Sequence, residues 1–337
     1  MFDVVSCGEL LIDFVALQRG VRLAEASAFR RAAGGAPANV AVGVARLGRR
    51  AAFLGQVGDD DFGHFLANTL RRAGVDVRGL CFTPLARTAL AFVSVRADGE
   101  RDFLFYRHPS ADMLWRPDDV EREVVRATRV LHFGSISLIG EPARSATLAA
   151  VAEARTSGAL ISYDPNLRLA LWPSPQAARD GILLGWREAE VIKLSEEELE
   201  FLTGTRAPEV LRGFWHERLR LVVVTHGAAG CTYLTANGQG TVPGFPVRVV
   251  DTTGAGDGFV AGLLVGLLER PGDWSLHELE QVVRFANAVG ALVCTRRGAI
   301  PALPTRSRVQ RFLRGAGAAG SAGEARASGS DAATPGC

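Results

Sequence analysis

Val250-Asp-Thr-Thr-Gly-Ala-Gly-Asp-Gly-Phe259 is the stretch from which the chain can be read. An apolar segment follows it and predicts a helix over Gly258–Glu269. Glycines let backbone N–H groups turn towards a ligand with no Cβ in the way. A helix N-terminus adds partial positive charge. Together they make a nest suited to the anion that develops on a transferred phosphoryl group. A carboxylate at Asp257 stands where it can take the proton of an attacking hydroxyl. The same residues also fit a plain helix start with an aspartate cap. Taken alone, so short a motif favours the cap.

Outward from this stretch, short apolar runs alternate with helical patterns. Val4–Cys7, Ala51–Gln56, Val130–Phe133, Leu160–Tyr163, Val191–Lys193 and Leu221–Thr225 are expected as strands. Pro37–Leu47, Gly63–Ala73, Ala143–Thr156, Ala177–Glu188 and Glu196–Leu202 are expected as helices. Such alternation predicts an α/β fold with a parallel sheet covered on both faces. Ligands of open sheets of this kind bind beyond the carboxyl ends of the strands, and the glycine-rich motifs fall at strand-to-helix junctions. Thr88–Arg96 and Arg101–Arg107 break the rhythm, being β-like runs joined by Ala97-Asp-Gly-Glu100. Asp98-Gly99 is a hairpin signal. With Leu10–Ala16 and Leu23–Phe29 as further strands, these runs predict a small antiparallel sheet, a lid or a dimer contact. Residues 315–337 are rich in Gly, Ala and Ser and are expected to be disordered, since they bury too little to offset ordering entropy.

Composition narrows the function classes. Of 337 residues, 47% are hydrophobic and 22% charged, with a net charge of +2, so a large core is available and neither nucleic acid nor a membrane surface is called for. Lys193 is the only lysine; every other basic residue is arginine. The five cysteines are scattered and lack a Cys-x-x-Cys pair, which fits a reducing compartment. The apolar run Phe259–Leu268 is too short to span a bilayer. No signal segment is read before the first strand, and a cytoplasmic location is expected.

Further candidates lie at the other junctions. Gly34-Gly-Ala-Pro-Ala-Asn39 opens a helix, and Asn39 offers the donor and acceptor that polyol recognition needs; a plain helix start fits equally well. Asp13, after the first strand, can accept from two sugar hydroxyls or be a solvated loop residue. Arg107 follows the lid hairpin and can close on a ligand. In Asp164-Pro-Asn-Leu-Arg168, Asn166 and Arg168 either face phosphates or form a surface turn. Ser195 and Glu198 make a capping box, while Glu198 can also position hydrated Mg²⁺. Thr225, Gly227 and Gly230 cup a nucleotide or merely turn a hairpin, and Asn287 faces an adenine or is a buried helix polar.

In this order and spacing, the motifs resemble the ribokinase-like (PfkB) carbohydrate kinases, and within them the plant-type fructokinases. Gly8-Glu-Leu-Leu-Ile-Asp-Phe14, Phe105-Tyr-Arg-His-Pro-Ser-Ala-Asp112, Gly134-Ser-Ile-Ser-Leu138, Ser162-Tyr-Asp-Pro-Asn-Leu-Arg168 and Arg297-Gly-Ala-Ile-Pro-Ala-Leu-Pro304 carry that likeness over residues 2 to 314. The resemblance implies a three-layer α/β/α sandwich with a β-lid, often dimeric through the lid, over one domain spanning 1–314. It implies transfer of the ATP γ-phosphoryl group to fructose. Asp257 would be the base, and Gly254, Ala255 and Gly256 the anion hole. Asp13, Gly35, Asn39 and Arg107 would hold the sugar. Ser195, Thr225, Gly227, Gly230 and Asn287, with Asn166 and Arg168 towards the phosphates, would contact ATP. Glu198 would serve Mg²⁺ through water, and Asp251 and Thr253 resemble a monovalent-cation site that usually takes K⁺. Three positions depart from the family pattern: Gly258 for Ala, Ser195 for Asn, and His226 for an acidic residue.

Overall fold

A computed structural model describes residues 1–95, 101–270, 272 and 274–327. In chain order its strands are β1 (Phe2–Cys7), β2 (Leu11–Ala16), β3 (Phe29–Gly34), β4 (Ala51–Gly58), β5 (Val75–Thr83), β6 (Leu90–Val95), β7 (Arg101–Tyr106), β8 (Thr128–Gly134), β9 (Leu160–Asp164), β10 (Val191–Ser195), β11 (Leu221–Thr225), β12 (Gly230–Thr235) and β13 (Gly238–Pro243). The helices are α1 (Ala36–Arg46), α2 (Asp61–Arg72), α3 (Arg122–Arg126), α4 (Ala143–Thr156), α5 (Pro175–Glu188), α6 (Glu196–Thr203), α7 (Ala255–Leu268), α8 (Leu276–Cys294) and α9 (Arg306–Ala327).

Nine strands form one sheet in the order β13-β12-β11-β10-β9-β8-β1-β4-β5. It is parallel from β5 to β11, and β12 and β13 add antiparallel at one edge. Neighbouring residues in each central strand point to opposite faces. Val5, Leu54 and Leu131 enter one apolar core with Ala146, Ile182 and Leu199 of α4, α5 and α6. Val4, Phe53 and Val130 enter the other with Val40, Leu66 and Leu264 of α1, α2 and α7. Both faces are covered, which is why these strands read as unbroken apolar runs rather than alternating ones.

The second sheet has the order β3-β2-β6-β7. It is mixed rather than antiparallel, because β2 and β6 run parallel; they come from separate passages of the chain, with β4 and β5 between them. The expected strand at Leu23–Phe29 is displaced. Leu23–Glu25 is one 3₁₀ turn closed by the Arg22 N–H donating to Glu25 Oε2 at 2.9 Å, and the pairing strand is β3. The Asp98-Gly99 turn lies outside the described residues. At the C-terminus, α9 continues to Ala327, into the segment expected to be disordered. Six alanines in 315–327 give that segment a helix preference which its glycines had masked; residues 328–337 lie outside the description.

One contact fixes α7. Gly258, Gly262 and Gly266 lie along the side that meets α8. A Cβ on them would stand 2.7 Å from Val293 Cγ2, 2.9 Å from Ala286 Cα and 2.9 Å from Val282 Cγ1 respectively. The departure at Gly258 thus belongs to a stripe that lets two helices pack closely. No helix among the described residues is long and apolar enough to cross a membrane.

Candidate active site

At the carboxyl ends of the parallel strands, between the two sheets, lies a cavity of about 580 Å³. Asp13, Gly35, Asn39, Asn166, Arg168, Asp251, Thr253, Gly254, Gly256 and Asp257 all line it. Residues from four separated stretches therefore meet at one place.

The turn into α7 resolves the two readings of Asp257. Gly254 is the N-cap, at φ +79°, and no side chain caps the helix. A Cβ on Gly254 would come within 2.7 Å of Ala299 Cβ, so the left-handed turn and the close approach both require glycine. Asp257 sits in the first turn of the helix instead. It is buried, and its Oδ2 accepts from Asn39 Nδ2 at 2.7 Å. The other amide atom, Asn39 Oδ1, is buried without a partner. Burial pushes the Asp257 carboxyl up to about 6; the Asn39 bond opposes this, the Asp164 charge adds to it, and Arg168 and Lys193 oppose it. A carboxylate so placed titrates close to neutrality, where a general base works best.

Across the cavity, Gly35 has φ +106°, and a Cβ there would lie 2.4 Å from the Glu9 carbonyl. Beside it, the Ala36 N–H donates to Glu9 Oε1 at 2.9 Å. Asn166, at φ 44°, donates its N–H to Asp164 Oδ1 at 3.2 Å, holding the β9 loop in an Asx-type turn. Asp251 ties two loops together. Its Oδ1 accepts from Thr253 N (3.0 Å) and Thr253 Oγ1 (2.6 Å), while Oδ2 accepts from Gly298 N (2.8 Å).

Other expected residues are placed differently. Arg107 is buried off the cavity wall, paired to Asp112 Oδ2 through Nε at 2.8 Å and Nη2 at 2.6 Å. Ala255 also does not line the cavity. Glu198 accepts from the N–H groups of Leu167 and Ser195, each at 2.7 Å, and Ser195 Oγ accepts from Glu198 N at 3.2 Å. The capping box is thus formed, and it joins α6 to the β9 loop. Burial raises the Glu198 carboxyl, with Lys193 opposing. Ser195 and Thr225 are register partners at the ends of β10 and β11. Gly227 starts a 3₁₀ turn into β12, whose first residue is Gly230. Asn287 on α8 donates to the carbonyls of Val242 and Pro243, both at 3.3 Å. These residues form a second group beside the cavity, towards the antiparallel edge.

Among the cavity residues not expected there are Glu9, Asp164 and Lys193. The Lys193 ammonium lies 3.2 Å from Asp164 Oδ2. Burial pushes Glu9 up to about 7. Their signals in the sequence are slight: Glu9 follows β1, Asp164 ends β9, and Lys193 interrupts the apolar run of β10.

The model of the pfkB family carbohydrate kinases matches residues 1–306. The chain is 54% identical over 318 residues to "Probable fructokinase-4" of Arabidopsis thaliana, covering 93% of this chain and 97% of that one. The chain belongs to the pfkB family of carbohydrate kinases. Fructokinase from Xylella fastidiosa with bound ATP superposes on this pfkB kinase with a TM-score of 0.87 at 36% identity, over 94% of this chain and all of that one. A double mutant of fructokinase from Vibrio cholerae, with fructose, ADP and potassium bound, gives 0.82 at 38% identity over 93% and 98%. The pfkB kinase is an ATP-dependent phosphotransferase with the ribokinase-like fold. Its departure at His226 is accommodated by Thr232, whose Oγ1 lies 2.9 Å from Nε2, and by Glu196, 3.4 Å from Nδ1.

Proposed function

We propose that the chain phosphorylates fructose with ATP, giving fructose 6-phosphate and ADP. The observation that carries this is the buried Asp257–Asn39 pair at the glycine turn of α7, facing the cavity. Asp257 takes the proton of the attacking hydroxyl, whose oxygen bonds to the γ-phosphorus as the bond to the ADP oxygen breaks. The N–H groups of Gly254, Ala255 and Gly256 receive the charge that spreads over the phosphoryl oxygens. Asp13, Gly35 and Asn39 hold the sugar, and the unpartnered Asn39 Oδ1 is an acceptor waiting for a hydroxyl. Arg107, locked to Asp112, supports the sugar side from behind rather than by closing on it. ATP lies along Asn166, Arg168, Ser195, Thr225, Gly227, Gly230 and Asn287.

Among the described residues no three His, Cys, Asp or Glu converge as a metal cage. Mg²⁺ seldom needs one, since it keeps several waters and takes phosphates with one or two carboxylates. Glu198 would hold its water shell, and the ion would neutralise phosphate charge. Asp251 and Thr253 would hold K⁺, which would steady the loops that Asp251 already joins. The Vibrio cholerae fructokinase holds fructose and potassium together, which supports both the acceptor and the ion. We further propose a homodimer through the small sheet, where Phe103, Leu104 and Tyr106 are exposed.

The test is a panel of acceptors with MgATP and K⁺: fructose, ribose, a nucleoside and 2-keto-3-deoxygluconate. Fructose is expected to give the highest kcat/KM, because specificity is a ratio of these values. A higher value for another acceptor would replace fructose in the reading. Turnover of fructose by Asp257→Ala at the wild-type rate would remove Asp257 as base.

A further inference from the structure

Gly35 caps α1 with no side chain of its own. The N–H of Ala36, the first residue of that helix, still needs an acceptor. Glu9 supplies it from 27 residues away, through Oε1 at 2.9 Å. Glu9 stands in the turn between β1 of the large sheet and β2 of the small one, and Gly35 stands where β3 of the small sheet passes into α1. The bond therefore joins two of the crossings between the sheets. The backbones also meet there, since a Cβ on Gly35 would lie 2.4 Å from the Glu9 carbonyl oxygen. A third crossing follows β7, where Arg107, Ser110 and Asp112 are buried. Arg107 acts on Glu9 from a distance but is bonded to Asp112, at 2.6 and 2.8 Å. Glu9 Oε2 is left buried with no partner, although the residue lines the cavity. A plain helix cap needs one acceptor oxygen and no charge, which an amide would provide. A carboxylate only 3% exposed, with one oxygen used and one orphaned, is costly to keep. One turn along α1 lies Asn39, whose Nδ2 bonds Asp257 and whose Oδ1 has no partner. Whatever fixes the first turn of α1 fixes Asn39 as well. An ionised acceptor holds an N–H roughly twice as strongly as a neutral one, so the hold on that turn follows the proton on Glu9.

We propose that Glu9 is a positioning residue for the acceptor: through the Ala36 N–H it holds the first turn of α1, and with it Asn39, and it does so firmly only as a carboxylate. This rests on the reading of Asn39 as a residue that holds the acceptor, but not on fructose as that acceptor. Few groups set the ionisation of Glu9. Burial pushes its carboxyl up to about 7; its N–H bonds and Arg107 oppose this, and Asp112 adds to it. On β1, Cys7 stays a thiol, pushed up to about 12 by burial. Asp13 follows on β2, while neither Gly34–Asn39 nor β4 carries a charged residue. Glu9 is thus ionised above 7, where acceptor affinity is full, and the affinity falls as pH drops through that value.

The test is calorimetric binding of the best acceptor of the panel, without nucleotide, between about pH 5.5 and 9. The protein is the full chain carrying Asp257→Asn, so that the base does not titrate. There the dissociation constant is expected to rise about fivefold as pH falls through 7, the difference between a charged and a neutral acceptor. With Glu9→Gln added, binding is expected to be flat with pH and to sit at the weak, low-pH value. With Asp257 intact, Glu9→Gln is expected to raise the KM for the acceptor about fivefold at pH 8, while kcat stays within about twofold. A pH step that survives Glu9→Gln overturns the proposal. So does a folded Glu9→Gln protein that binds the acceptor as tightly as its parent above pH 7. Should that variant not fold, Ala36→Pro removes the same bond from its donor side, at a helix position suited to proline. The step is expected to vanish there too, and its survival overturns the proposal. Asn39→Ala tells the two readings apart. If it leaves binding unchanged, the reading of Asn39 falls and the role of Glu9 with it. If it weakens binding while Glu9→Gln does not, only the role of Glu9 falls.

Discussion

Asn39→Ala should move the acid limb of the pH–rate profile upward. In the wild type the Asp257 carboxyl titrates near 6, raised by burial and partly restrained by the 2.7 Å bond from Asn39 Nδ2. That bond favours the ionised form, so its loss disfavours ionisation and raises the pKa. A hydrogen bond to a charged group contributes about 1.5–3 kcal/mol, and one pH unit corresponds to about 1.36 kcal/mol. The limb is therefore expected to shift by roughly one to two units, to about 7–8. The assay is kcat/KM for fructose from pH 5 to 9 with MgATP saturating, in wild type and variant. Asn39 also lines the cavity and is proposed to hold the sugar, so the whole profile is expected to drop, but the position of the limb is independent of its height. A limb that stays in place, or moves to lower pH, would refute the argument that Asn39 tunes the base.

Three further outcomes follow from the same geometry. Asp257→Asn removes a buried carboxylate raised from 3.8 to about 6, so the inactive variant should be more stable at pH 7.5 by about 1–3 kcal/mol. The sign is that of a raised acid: the cost of the charge is present above 6 and shrinks as pH falls towards 3.8, so the gain in melting temperature should shrink over that range. Gly262→Ala should lower stability by about 1–2 kcal/mol in chemical denaturation, since overpacking against the Ala286 backbone outweighs the roughly 1 kcal/mol of added helix preference. Asp251→Asn leaves an amide N–H₂ facing a donor at Thr253 or Gly298; the K⁺ concentration for half-maximal activation should rise about tenfold or more, with the KM for fructose far less affected.

How much of this was legible depends on how local each cause is. Val191–Lys193 and Leu221–Thr225 read as strands because they are buried on both faces along nearly their whole length. The first residues of α6 read as a capping box because Ser195 and Glu198 are three apart and satisfy each other. By contrast, β5 stayed hidden because Asp76 and Arg78 interrupt it at the sheet edge, where one side of the strand has no neighbour. The parallel pairing of β2 with β6 has no local signal at all. In the site, the glycines and Asp257 announced themselves, but whether Asp257 caps its helix or faces a ligand depends on Asn39, 218 residues away. The surroundings of Arg107 were hidden for a similar reason. A lid arginine and a buried ion-paired arginine look alike until Asp112 is seen to enclose it.

The glycine stripe on α7 has a mechanical consequence. With no α7 side chain along this stripe, over about two turns, α7 can neither slide nor roll without driving its backbone into Val282, Ala286 and Val293 of α8. Asp257, the proposed base, is thus carried on a part with no free travel. It cannot advance to meet its reactants, so they must be delivered to it. Whatever closing movement accompanies turnover must therefore be made by the four-stranded sheet on the far side of the cavity. The chain is divided into an anvil and a hammer, and the division is made by three missing methyl groups.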